Sequence, residues 1–72
     1  MKFDMSIEDN YSSFNDSEND LVIFVDSFDN KEFDVRIGSM LESTKAGKIN
    51  ADNSDDLNLK LSNLYQQYLR GM

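Results

Sequence analysis

Leu21 to Gly38 reads LVIFVDSFDNKEFDVRIG, and its reading decides the fold. Leu21-Val22-Ile23-Phe24-Val25 is an unbroken apolar run, too short for a buried helix and rich in strand formers. Glu32-Phe33-Asp34-Val35-Arg36-Ile37 alternates strictly, so Phe33, Val35 and Ile37 share one face. The stretch is therefore a β-hairpin. A three-residue loop, Phe28-Asp29-Asn30, with a left-handed Asn30, pairs Val25 with Phe33, Ile23 with Val35 and Leu21 with Ile37. A two-residue Asp29-Asn30 turn would instead put Val22 and Phe24 inside. The first register matches apolar pairs and keeps charge out of the core, so it is the expected one. It leaves Val22 and Phe24 on the outer face, framed by Asp26, Glu32, Asp34 and Arg36. A small apolar patch with an acidic rim suits protein binding.

The flanks supply the rest of the core. Lys2 to Glu8 alternates, which predicts a half-buried strand with Phe3, Met5 and Ile7 inward. Asp9 to Asp20, DNYSSFNDSEND, reads as a polar loop pinned by Tyr11 and Phe14. Ser39-Met40-Leu41-Glu42 fits a capping box, predicting a short helix that Gly47 closes and that turns Met40 and Leu41 to the sheet. The last element is the plainest helix. Asn53 caps it, Asp55 and Asp56 sit in its positive first turn, and Asp56 and Lys60 stand at i,i+4. Leu57, Leu61, Leu64, Tyr65 and Tyr68 make one stripe, with Leu59 on the other side. The expected architecture is α+β, a single domain over residues 1–72. It has a three-stranded antiparallel sheet, Leu21–Asp26 in the middle, in β-β-β-α-α order, with the amphipathic C-terminal helix on one face.

Composition narrows the function classes. The 72 residues hold one core, and with no Cys and no His there is no disulfide, no thiolate metal site and no imidazole base. No apolar run exceeds five residues and the N-terminal stretch lacks an apolar signal core, so a cytoplasmic location is expected. Fourteen acids face seven bases, for a net charge of −7, and all of the excess lies in residues 1–36. Such a field disfavours nucleic acid and anionic membrane as direct ligands and favours a basic protein partner.

Catalytic and metal-binding patterns fail when tested. An EF-hand loop starting at Asp52 would need Gly and Glu where Leu57 and Asn63 stand, and one starting at Asp16 meets Leu21 and Ser27. Asp16, Glu18 and Asp20 leave only weak divalent-cation binding to consider. The serines have no His to activate them, and the three glycines form no phosphate loop. No enzyme activity and no cofactor are expected. What remains is a row of acids. Alternate strand residues lie about 7 Å apart on one face, so Asp26, Glu32 and Asp34 can present carboxylates in an array, with Asp16, Glu18 and Asp20 near its base. Such an array fits a basic groove built for phosphates. The expected function is a small acidic inhibitor or decoy that occupies the basic surface of a nucleic-acid-handling protein. The analogy is with small acidic proteins of phages and mobile elements. Its interface would be Asp16, Glu18, Asp20, Val22, Phe24, Asp26, Glu32 and Asp34. The alternative is an accessory subunit that forms a homodimer through an open strand edge or the Val22/Phe24 patch.

Overall fold

The structure is a computed structural model that describes residues 2–39 and 41–71. Four strands, β1 (Tyr11–Asp16), β2 (Leu21–Ser27), β3 (Glu32–Gly38) and β4 (Ser43–Asn50), are followed by one helix, α1 (Ser54–Arg70). The strands form an antiparallel meander in the order β1-β2-β3-β4. The three-stranded β-β-β-α-α architecture is thus corrected: the sheet has four strands, and one helix follows it.

Three local readings account for the difference. Residues 2–6 join no sheet, and Ile7 and Glu8 form a turn closed by Asp9 N on Ser6 O at 3.0 Å. Met5 N donates to Asn58 Oδ1 at 2.8 Å, Asn58 Nδ2 returns a bond to Met5 O at 2.9 Å, and Ile7 N donates to Ser54 Oγ at 2.9 Å. Side chains of α1 thus take the place of a neighbouring strand, and Phe3 and Met5 are still buried. The first strand lies instead in the stretch read as a loop. Its turn is made by Asp16, whose Oδ1 accepts from Glu18 N at 3.1 Å, and by Asp20 at φ 55°. The capping-box residues also find another use. Glu42 N donates to Ser39 Oγ at 3.0 Å and Ser39 N to Glu42 O at 2.7 Å, closing a turn between β3 and β4. A serine that can cap a helix can equally close a turn. Leu41, expected in the core, is fully exposed there, and Met40 lies outside the described residues.

The hairpin keeps its faces and slips by two residues. Val25 pairs with Val35 and Ile23 with Ile37, while Phe33 stands opposite Ser27. An even shift preserves which side each residue faces, so Ile23, Val25, Phe33, Val35 and Ile37 all enter the core as expected. The longer loop is held by side chains. Asp29 Oδ1 accepts from Lys31 N at 3.0 Å and Glu32 N at 2.9 Å, Asn30 N donates to Ser27 Oγ at 2.9 Å, and Asn30 is left-handed at φ 58°. Asp29 bonds the amides that a shorter loop would have paired across the strands.

Helix α1 follows its sequence. Asn53 Oδ1 caps Asp56 N at 2.8 Å and Lys60 meets Asp56 at 2.9 Å. Leu57, Leu61 and Tyr65 are buried against the inner sheet face and Leu59 is exposed. At Gly47, φ is +156° beside the bulge in β4, and a Cβ would stand 3.5 Å from Leu64. The positive φ, not lack of room beside Leu64, is what asks for glycine there. Ile49 and Ala51, missed in the sequence reading, complete the core. No helix among the described residues is long and apolar enough to cross a membrane.

Candidate functional site

The outer sheet face has no layer of secondary structure on it, and pairing parity sets its residues in rows. Tyr11, Asp26, Asp34 and Lys48 form one row; Ser13, Phe24, Arg36 and Lys45 form the next. Phe24 is half-buried, with the Arg36 guanidinium 5.7 Å from its ring centre. A shallow pocket of about 180 Å³ is lined there by Tyr11, Phe24, Arg36 and Leu41. Val22 does face outward by parity, but it is buried at 8% exposure, so it adds little to a docking patch.

Two of the three carboxylates of this face are paired where they stand, and Asp34 Oδ1, buried without a hydrogen-bond partner, has only a longer contact with Lys48. Arg36 meets Asp26 at 3.5 Å, and Lys48 meets Glu32 at 3.1 Å and Asp34 at 3.9 Å. Glu32 and Asp34 hold the Lys48 ammonium above its usual lysine value. Three acids and three bases, counting Lys45, therefore share the face. The array expected from Asp26, Glu32 and Asp34 is present in position, yet it carries no net charge.

Asp16 is not part of any acidic surface. Its side chain turns inward, where the Tyr65 hydroxyl donates to Oδ2 and Asn19 Nδ2 does so at 2.8 Å. These bonds hold its carboxyl below the usual aspartate value, the Tyr65 bond first among them. Burial, and then Asp16, push the Tyr65 phenol well above the usual tyrosine value. Glu18 and Asp20 stay exposed on the β1–β2 turn, so the three acids considered for a divalent cation do not converge. Among the described residues no three His, Cys, Asp or Glu side chains form a metal-holding group.

With the sheet face neutral, the charge surplus lies elsewhere. Loops 8–10 and 28–31 and the segment 51–55, which runs into the first turn of α1, meet at one end of the sheet. Asn30 Nδ2 donates to Ile7 O at 3.0 Å and Asp9 O at 3.1 Å, Asn10 Nδ2 donates to Asn30 Oδ1 at 3.3 Å, and Ala51 N donates to Lys31 O at 2.9 Å. This frame carries Glu8, Asp9, Asp29, Asp52 and Asp55, all exposed, and one cation of its own, Lys31, with the Lys60 ammonium beside it on Asn50 O at 2.6 Å. Amides of Glu32 and Lys31 hold the Asp29 carboxyl below its usual value. The sequence reading passed over this end because its acids come from three distant segments. Asn30, whose side-chain amide ties its loop to residues 7–10, was the available signal.

The fold defines a small α+β protein. No family model, curated protein or solved structure matches the chain.

Proposed function

We propose that the protein is a small acidic binding module that docks on a basic surface of a partner protein through the end formed by segments 8–10, 28–31 and 51–55. One observation carries this reading: five exposed carboxylates stand on a hydrogen-bonded frame and outnumber its cations, Lys31 and the neighbouring Lys60. A fixed set of like charges loses little freedom on meeting a basic groove, and the field of a −7 chain steers the encounter. A nucleic-acid-handling protein has such a groove, and occupying it would inhibit that protein. The outer-face acids Asp26, Glu32 and Asp34 take no leading part, since Arg36 and Lys48 answer them.

The test compares the wild-type chain with a variant carrying Glu8→Lys, Asp9→Lys and Asp52→Lys, and with a control carrying Asp26→Asn and Glu32→Gln. Each is used to capture proteins from the native cell at about 50 mM and about 500 mM salt, where the Debye length falls from about 14 Å to about 4 Å. A captured partner is then purified and titrated. The expected result is a basic protein held by wild type and control at low salt, released at high salt, and bound at least about tenfold more weakly by the reversal. Equal retention by the reversal overturns the proposal.

A further inference from the structure

The two edges of the sheet are treated differently. The β4 edge carries Lys45 and Lys48, a bulge after Val35 in the pairing, and Gly47 at positive φ, the usual devices against a stray strand. The β1 edge has none of them. Its pairing with β2 is regular from Tyr11 to Asp16, and Tyr11 to Asn15 carry no charge. Its single acid, Asp16, is turned inward onto Tyr65. Beside it runs a groove of about 430 Å³ lined by Lys2, Ser13, Phe14, Asn15 and Glu18.

We propose that β1 is a homodimer interface, on which the β1 strand of a second copy pairs antiparallel to make one eight-stranded sheet. An edge whose residues 11–15 are uncharged, with Lys2 and Glu18 of opposite sign beside it, is where two −7 chains can approach with least repulsion, and an antiparallel strand is its own complement under a two-fold axis. The pairing follows from the backbone. Asn10 O accepts from Ser27 N at 2.8 Å, so in the alternating antiparallel ladder Ser12, Phe14 and Asp16 turn their main-chain groups to β2. Tyr11, Ser13 and Asn15 turn theirs outward. Setting Ser13 against Asn15 of the second copy, and Asn15 against its Ser13, satisfies the main-chain groups of Ser13 and Asn15. It also puts Phe14 opposite Phe14 in a non-hydrogen-bonded position, where side chains stand closest. Phe14 is half-buried, with the Phe3 ring edge-on at 5.0 Å. Pairing joins the two Phe3–Phe14 pairs into a four-ring cluster on the helix side. The six-residue edge is about 20 Å long, which places the interface at the small end of the stable range. A modest affinity follows.

Sedimentation from about 10 µM to about 500 µM, at low and high salt, reads the assembly. Wild type should pass from monomer to dimer with concentration, and more readily at high salt as the net charges are screened. Because the Ser13 amide points away from β2, Ser13→Pro removes only an intermolecular donor; it should leave the melting curve in place and the chain monomeric. Phe14→Cys, introduced into a chain without cysteine, should cross-link to itself on mild oxidation, and Ser13→Cys should not. Wild type that stays monomeric throughout overturns the proposal, as does a dimer indifferent to Ser13→Pro. Cross-linking at Ser13→Cys in place of Phe14→Cys overturns the pairing.

Discussion

Asp16 ties the β1–β2 turn to α1, and the tie has a pH signature. Its carboxylate accepts from Tyr65 and from the side chain and backbone of Asn19, which favours the ionised form in the folded chain. A carboxyl held low when folded adds stability that is fully present above the unfolded value of about 3.9 and is lost as pH falls through the folded one. Urea unfolding at pH 7 and pH 3 should therefore show a smaller acid loss for Asp16→Asn than for wild type. Tyr65→Phe should destabilise at pH 7 and, combined with Asp16→Asn, should not add its full effect. Parallel pH curves for wild type and Asp16→Asn would remove Asp16 from the account. On α1 the contrast is of burial. Leu61 is 1% exposed and Leu59 is 61% exposed. Leu61→Ala should cost about 2–5 kcal/mol by chemical unfolding, and Leu59→Ala about 0.5 kcal/mol or less. Equal losses would mean the buried face is misplaced.

Among the elements, α1 was legible to the residue, because its cap, its charge pairs and its stripe all agree. The central hairpin was legible in its faces but not its partners. Alternation at Phe33, Val35 and Ile37 reveals parity, whereas register depended on Ser27 and Asp29 capturing loop amides. Strands β1 and β4 were not legible. Tyr11-Ser12-Ser13-Phe14 has only two strong strand formers and Ser43–Asn50 contains Gly47, so both are edges that β2 and β3 impose. The slip has an energetic consequence: Asp26 and Asp34 stand directly opposite each other. Asp34→Thr removes a like-charge pair and supplies a better strand residue, so it should stabilise by about 0.2–1 kcal/mol in urea unfolding. A loss would show that the Lys48 contact outweighs the repulsion. The β3–β4 turn is closed over Gly38, where a Cβ would meet Glu42 O at 2.2 Å. Gly38→Ala should cost about 1–3 kcal/mol, visible as an earlier melt.

Over the whole molecule, charge is segregated. Acids and bases balance on the outer sheet face while Glu8, Asp9, Asp29, Asp52 and Asp55 crowd one end. The count of −7 was plain in the sequence; its location was not, because the crowded end exists only once three segments meet. Raising salt from about 50 mM to about 500 mM should raise the melting temperature, as repulsion at that end is screened more than the close Lys60–Asp56 and Lys48–Glu32 pairs are weakened. A falling melting temperature would show that the pairs matter more than the repulsion.

The anchoring of residues 3–7 on α1 also fixes an order of events. Met5 waits for Asn58 across 53 positions and Ile7 for Ser54 across 47. The β1–β4 meander pairs over short sequence separations, so its strands can meet before residues 3–7 find α1. Until α1 docks, Met5 lacks its Asn58 bonds and Phe3 has only Phe14 of its two ring partners. Closure of the core is therefore a late, post-strand step, and until then the folding chain leaves Met5 and part of Phe3 open to water.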